Sequence, residues 1–390
     1  MQNHRSTVQY SAPRLAETPP PPERGRGSLD IPMLVLTLLL LIVGVITVLS
    51  ASYARAYYST SETGGNAWYY FLRQGVFALA GVCAMLVCAR IPIAFYRRMA
   101  PLLYVISIVC LVLVPLIGVE SGGAKRWLSL GFTTFQPSEI AKLSVVLLFG
   151  HMICGFREKM QTVRYGLLPF LLLLVLVIGL LVLEPHLSAS VIILAVGAIM
   201  IFLGGAKLWW FLGGAAGAVA AGTLFITKFA YASSRITSWL DPFSDTSGKG
   251  YQIIQSLYAI GSGGLFGLGL GQSRQKYLYL PEEHNDFIFS VLCEELGFVG
   301  AALVLALFAL LILRGYWLAM HARNRYSALI CAGITSLLAV QVLLNVAVVT
   351  NLVPCTGISL PFFSYGGTAL LIQLAEIGII LSVSREIPGA

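Results

Sequence analysis

Five stretches of the chain contain no charged side chain over about twenty residues each. A helix needs roughly that length to cross the hydrocarbon core of a bilayer. The stretches are Ile31 to Ser50, Met99 to Val119, Tyr165 to Leu183, Leu187 to Ala206 and Leu208 to Thr227. A chain with several such stretches is predicted to be an integral membrane protein.

The composition supports this prediction, because 57% of the residues are hydrophobic and only 11% are charged, against about a quarter charged in soluble domains. The net charge of +8 comes from basic residues that lie mostly between the apolar stretches, so membrane topology explains it better than nucleic-acid binding. The seven cysteines show no CxxC spacing, and neither a disulfide framework nor a zinc site is indicated.

The hydropathy pattern predicts an all-α membrane protein with about ten transmembrane helices. Residues 1–29 are polar and rich in proline, which indicates a disordered tail, and residues 30–386 are predicted to form the membrane domain. The helices are expected at about 31–50, 70–89, 99–119, 138–156, 165–183, 187–206, 208–227, 287–313, 326–350 and 366–384.

The distribution of lysine and arginine predicts the orientation, since short cytoplasmic loops are enriched in them. With the N-terminus inside, fifteen basic residues flank the helices on the inner side and nine on the outer side. Both termini are therefore predicted to be cytoplasmic. Three polar segments then face outwards, 120–137, 228–286 and 351–365, and the longest, between helices 7 and 8, is long enough to suggest a function.

A glycine-rich segment, GSGGLFGLGLGQSRQKYLYLPEEHNDFIF, leads into the eighth helix. It lacks the GK[ST] of a phosphate-binding P-loop, so we interpret it as a flexible or re-entrant segment on the membrane face. Arg274 and Lys276 lie within it, and Asp286 lies at the mouth of the helix. Asp286 is open to two interpretations, as a helix N-cap or as a general base within hydrogen-bonding reach of a hydroxyl group.

Ionisable residues also lie within apolar helices, where charge is costly and usually faces a cavity or a partner. Glu139 and Lys142 are three residues apart and could pair on one helix face. Glu294, Glu295 and Glu376 are further examples. Structural interhelical pairing and substrate binding are both compatible with this pattern.

Two outer segments offer candidate ligand-binding residues. Lys125, Arg126 and Trp127 place positive charge beside an aromatic ring, which suits a lipid pyrophosphate, although snorkelling cations and an interfacial aromatic belt give the same pattern. Ser364 and Thr368 precede or begin the last helix, where capping and ligand contact are both open.

Three long motifs in this order resemble the FtsW/RodA (SEDS) family: GAKRWLSLG with FQPSEIAKL, then GYQIIQSLYAIGSGGLFGLGLGQSRQKYLYLPEEHNDFIFSVLCEELG, then TGISLPFFSYGGTAL. The similarity spans residues 31–385, and the middle motif is most similar to the division-associated FtsW branch, sporulation relatives included. One motif departs from the family, because Glu184, Pro185 and His186 stand where many members have QPD.

The resemblance implies an inverting peptidoglycan glycosyltransferase that polymerises lipid II, with Asp286 as the catalytic base. The growing glycan strand on undecaprenyl pyrophosphate is the implied donor. Cations for the leaving pyrophosphate would come from Lys125, Arg126, Arg235, Arg274 or Lys276, with a divalent ion such as Mg²⁺ or Mn²⁺ as a further candidate.

The resemblance also implies a class B penicillin-binding protein and other divisome proteins as partners, in the cytoplasmic membrane at the septum. Two other functions stay open from the sequence: a lipid II flippase and a non-catalytic divisome scaffold. A flippase needs a cavity that opens alternately to both faces, whereas the charged segments concentrate on the predicted outer side.

Overall fold

The computed structural model describes residues 27–59, 63–121, 124–129, 131, 133–228, 236–244 and 249–387. Most of the predicted N-terminal tail and the candidate Arg235 lie outside these residues. The described helices are α1 (Ile31–Tyr58), α2 (Tyr69–Cys88), α3 (Ile93–Ile117), α4 (Pro137–Phe156), α5 (Leu168–Leu183), α6 (Leu187–Leu203), α7 (Leu208–Lys228), α8 (Lys249–Ser262), α9 (Ile288–Met320), α10 (Arg325–Val349) and α11 (Gly367–Ser384).

The helices confirm the predicted class of an all-α, multi-pass membrane protein. Eight segments of the described chain are long and apolar enough to cross a bilayer: α1, α2, α3, α4, α5, α9, α10 and α11, while α6 is a shorter apolar helix. Ten helices overlap the ten predicted segments, and α8 is additional. The number of spans and the side on which the termini lie stay predictions.

Helices α4, α10 and α11 form the centre of the bundle, because 67%, 72% and 78% of their most apolar windows are buried. The corresponding windows of α2, α3 and α5 are less than a third buried and present large apolar side chains outwards, as lipid-facing helices do. Polar side chains that the central helices carry must therefore face one another or a cavity.

The predicted outer segments contain structure that the hydropathy pattern did not show. A small antiparallel sheet consists of β1 (Val119–Ser121), β2 (Ala124–Ser129) and β3 (Thr134–Phe135) in the order β1-β2-β3. The long segment before α9 contains helix α8, whose Ser256 donates to the carbonyl of Val349 and hydrogen-bonds Ser290. The segment therefore packs against the bundle.

Helix α9 is interrupted at Gly297, where φ is 67°, and the glycine-rich segment fills the break. The amides of Leu268 and Gly269 donate to the carbonyls of Glu294 and Glu295, and Phe298 and Val299 donate back to Gly264 and Leu265. A side chain on Gly297 would collide with the backbone of this segment. The glycines thus allow two backbones to meet and satisfy the polar groups that the break frees.

Candidate active site

The three polar segments predicted to face outwards converge on one cavity of about 680 Å³. Trp127 comes from the first segment, Glu282 and Asp286 from the second, and Gly357 from the third. Helices α2, α4, α6, α10 and α11 also contribute to the wall. Its ionisable lining residues, besides tyrosines and Cys355, are Arg73, Arg126, Glu139, Lys142, His186, Glu282 and Asp286.

The segment before α9 is held by its own carbonyl groups. The carbonyls of His284, Asn285 and Asp286 accept hydrogen bonds from the Tyr365 amide at 2.9 Å, the Ser364 hydroxyl at 2.8 Å and Asn345 Nδ2 at 2.9 Å. Three consecutive peptide groups are thus fixed to α10 and to the loop before α11, and the backbone position of Asp286 is fixed with them.

Glu283 anchors the same segment from the side of α1. Its carboxylate is fully buried and accepts from Arg55 Nε at 2.9 Å and Nη2 at 3.2 Å. Burial raises the pKa of Glu283, but the neighbouring His284 and Arg55 outweigh it and hold the pKa below its ordinary value. Glu283 is therefore ionised at neutral pH and serves as a structural charge.

Asp286 lies one residue before the N-cap position of α9, which falls on Phe287. The interpretation of Asp286 as the N-cap residue is therefore wrong as to position. The side chain of Asp286 instead lines the cavity and faces Gly357, where a Cβ atom would lie 2.9 Å from Oδ2. Gly357 has a φ of 73°, and it leaves space for the carboxylate.

The predicted pairing of Glu139 and Lys142 on α4 is confirmed, with Lys142 Nζ 2.8 Å from Glu139 Oε2. Both residues are largely buried and line the cavity. Glu376 of α11 is close enough to both to interact electrostatically. The pair therefore forms the polar floor of the site.

The small sheet supplies the opposite wall. Arg126 and Trp127 on β2 line the cavity, and Arg126 Nη2 donates to the carbonyl of Pro185 at 2.6 Å. Thr368 at the start of α11 donates to the carbonyl of Thr134 at 3.2 Å. Ser188 at the start of α6 donates to the carbonyl of Thr356 at 2.7 Å, which joins this wall to the loop that contains Gly357.

Comparison with known proteins places the chain in a family. The profile of the FtsW/RodA/SpoVE cell cycle proteins matches residues 31–388. The chain belongs to this family.

Individual members of the FtsW/RodA/SpoVE family are similar over nearly their full length. Stage V sporulation protein E of Bacillus subtilis is 40% identical over 92% of this chain and 98% of its own length. The probable peptidoglycan glycosyltransferase FtsW of Trichlorobacter lovleyi is 39% identical over 91% of this chain and 93% of its own.

Solved structures of family members have the same fold. A chain from a study of how a peptidoglycan synthase complex coordinates polymerization and crosslinking superposes with a TM-score of 0.76 at 30% identity, covering 93% of this chain and 99% of that one. The rod shape determining protein RodA of Thermus thermophilus gives a TM-score of 0.67 at 27% identity, again over 93% and 99%.

Of the site residues that the sequence predicted, Asp286, Arg126, Trp127, Glu139, Lys142 and Thr368 meet in the cavity. Of the others, Arg235 lies outside the described residues, and the remaining four lie away from the lining. Lys125 and Arg274 are exposed and outside the lining. Ser364 is buried, and its hydroxyl group accepts a hydrogen bond from the Leu360 amide and donates one to the carbonyl of Asn285. The hydroxyl group therefore has a structural role.

Lys276 is also placed away from the cavity. It is only 3% exposed, and its ammonium group lies 2.9 Å from Glu295 Oε1 and 3.1 Å from the hydroxyl of Ser50. A cation paired in this way is already neutralised. The geometry therefore favours a role in holding the glycine-rich segment over a role in binding pyrophosphate.

Sequence reasoning missed several lining residues, including Arg73, Gln136, Gln252, Asn285, Gln341 and Tyr365. Arg73 had a recognisable signal, because it is an arginine in the second turn of an apolar helix, where charge usually marks a cavity. Gln136 and Gln341 carry no charge and become apparent only when the helices are assembled.

The described residues offer no ready-made cluster for the candidate divalent ion. Among them, no group of three or more histidine, cysteine, aspartate or glutamate side chains could hold a metal ion. A metal requirement therefore stays a prediction, and we derive no step through an ion.

Proposed function

We propose that the protein is a peptidoglycan glycosyltransferase that polymerises lipid II during cell division. The observation that carries the proposal is Asp286, a carboxylate whose backbone is fixed by three neighbouring carbonyl hydrogen bonds and whose side chain lines a cavity with Arg73, Arg126 and Lys142. A positioned base beside preorganised positive charge suits a reaction in which a proton is removed and an anion departs.

In the proposed reaction, Asp286 accepts the proton of the 4-hydroxyl group of an incoming lipid II. The hydroxyl oxygen forms a bond to the anomeric carbon of the growing strand, and the bond from that carbon to the pyrophosphate oxygen breaks. The pyrophosphate leaves with the electron pair, still attached to its undecaprenyl chain. Because the oxygen attacks opposite the leaving group, an α-linked donor gives a β-1,4 bond, and one carboxylate suffices.

Arg126 is better placed than Lys142 to bind the leaving group. It lies on the wall of the cavity, and one guanidinium nitrogen is fixed by the carbonyl of Pro185. Lys142 also lines the cavity, but its charge is offset by Glu139. This arrangement supports Arg126 as the principal electrostatic contact and Lys142 as a secondary one.

The relatives support the same activity and a cell-wall context. We infer that the chain works in the cytoplasmic membrane at the septum with a class B penicillin-binding protein and other divisome proteins, because a similar chain comes from a study of coordinated polymerization and crosslinking. The near-equal identities to a sporulation protein and to FtsW make a sporulation role the alternative.

The test is to incubate the purified protein and its transpeptidase partner with labelled lipid II and to look for glycan polymer by gel electrophoresis. We expect polymer of many disaccharide units. Absence of polymer, combined with movement of lipid II across liposome membranes, would favour a flippase. Absence of both activities, with the partner's crosslinking retained, would favour a scaffold.

A further inference from the structure

His186 is a buried side chain of the cavity wall that neither the proton transfer nor the structural contacts explain. It occupies the N-cap position of α6, is 7% exposed and lines the cavity with Arg126 and Gln136. Its Nδ1 atom is buried without a hydrogen-bond partner among the described residues. Burying such a polar atom costs free energy unless a ligand or water pairs with it.

The protonation state of His186 follows from its surroundings. Burial, together with the positive charges of Arg126 and Lys142, lowers the pKa of His186 to about 3. The ring is therefore neutral at physiological pH and carries one proton. Gln136 Nε2, an amide nitrogen that only donates, lies 3.3 Å from His186 Nε2. His186 Nε2 is then the acceptor, and the proton resides on Nδ1.

A second buried donor lies beside it. Arg126 Nε is buried without a hydrogen-bond partner among the described residues, while Arg126 Nη2 is held by the residue that precedes His186. Two side chains that line the same cavity thus each keep one N–H donor without an acceptor among the described residues. The positive charge of Arg126 selects an anionic acceptor.

Glu184 does not cancel this charge. Both of its carboxyl oxygens are buried without a partner in the described structure. Burial raises the pKa of Glu184 to about 8, although Arg126 opposes the shift. The carboxyl group is therefore mostly protonated at pH 7, and the charge of Arg126 stays available to a ligand.

We propose that His186, through Nδ1–H, and Arg126, through Nε–H, together bind phosphate oxygens of a polyprenyl-linked pyrophosphate. The inference rests on the proposed function, because it identifies the ligand of the same cavity. His186 is a binding residue that contributes a neutral hydrogen bond, and Gln136 is a positioning residue that selects the tautomer.

Binding of undecaprenyl pyrophosphate to the detergent-purified full chain tests the proposal, with undecaprenol as the uncharged probe. Asparagine places an amide near the position of imidazole Nδ1, whereas glutamine places it near Nε2. We expect His186→Gln to weaken pyrophosphate binding by roughly ten- to a hundredfold, as for loss of a hydrogen bond to a charged group, and His186→Asn to retain affinity within about threefold. Undecaprenol binding should not change in either variant.

Gln136→Met tests the choice of tautomer without adding a charge to the cavity. Methionine donates no hydrogen bond to His186 Nε2, so the proton is no longer held on Nδ1. We expect weaker binding of pyrophosphate, by less than in His186→Gln, with unchanged binding of undecaprenol. Equal losses in His186→Asn and His186→Gln, or an unchanged affinity in His186→Gln, would overturn the assignment.

These experiments distinguish failure of the His186 proposal from failure of the proposed function. Binding that depends on His186 in a protein that makes no polymer would refute the glycosyltransferase proposal alone. Polymerisation by His186→Gln with the wild-type KM for lipid II would refute the role of His186 alone. Melting temperatures of all variants report whether each still folds.

Discussion

Gly357 faces Asp286 so closely that a Cβ atom at residue 357 would lie 2.9 Å from the carboxylate oxygen Oδ2. The two residues come from different segments of those predicted to face outwards, and the backbone around Asp286 is fixed by Asn345, Ser364 and Tyr365. The carboxylate therefore has little freedom to move aside without changing its direction into the cavity.

Gly357→Ala is expected to lower kcat for lipid II polymerisation by roughly ten- to a hundredfold, because a displacement of the base by about 1 Å can cost that much. The positive φ adds about 1–2 kcal/mol of backbone strain. Gly64→Ala is the matched control, since Gly64 has a φ of 65° with nothing within 4 Å of its Cβ position. Equal activity in the two variants would contradict the steric argument.

Arg55→Met should destabilise the fold by about 3 kcal/mol at pH 7, because it leaves the buried Glu283 without its partner. In the wild type, the depressed pKa of Glu283 contributes stability that is present above the unfolded value and is lost as the pH falls through the folded pKa. The difference between the two melting temperatures should therefore shrink towards acid pH. Arg55→Lys is the control that retains the charge, and a pH-independent difference would contradict the prediction.

Lys276→Met separates a structural role from a phosphate-binding role. Removing this cation leaves Glu295 buried and unpaired, and we expect about 3–5 kcal/mol of destabilisation in a denaturation experiment. The double variant Lys276→Met/Glu295→Gln should recover much of the loss. If Lys276→Met instead kept its stability and lost affinity for undecaprenyl pyrophosphate, the prediction made from the sequence would be right and the structural account wrong.

Glu184→Gln should change how stability depends on pH. The folded pKa of Glu184 is raised to about 8, so the wild type loses stability as the pH rises from the unfolded value towards 8, where only the unfolded state is ionised. Glutamine removes this loss. The melting temperature of Glu184→Gln relative to the wild type should therefore rise between about pH 5 and pH 8. A constant difference over that range would show that Glu184 is ionised in the fold.

The sequence predicted the parts of the fold that depend on local pattern. The apolar stretches predicted the helices, and a spacing of three predicted the pair of Glu139 and Lys142. The sequence predicted Lys125 and Arg126 alike as ligand-binding residues and did not indicate which of them would face the cavity. Arg126 lines the cavity and Lys125 does not, but the segment had no recognisable strand pattern from which their directions could be predicted.

Local sequence patterns could not predict contacts between segments that are distant in the chain. Lys276 pairs with Glu295 because the glycine-rich segment enters the break in α9, and the hydropathy pattern shows one continuous helix there. The space that Gly357 leaves for Asp286, and the placement of Gln136 beside His186, likewise depend on how the segments between the helices assemble over the bundle.

The most direct test of the account is lipid II polymerisation by Asp286→Asn, with the partner transpeptidase present. Asparagine keeps the size of the side chain but does not accept the proton, so the rate should fall by about 10²- to 10⁴-fold while the melting temperature and the binding of lipid II stay near wild type. Polymer formed at the wild-type rate by Asp286→Asn would contradict the assignment of Asp286 as the base.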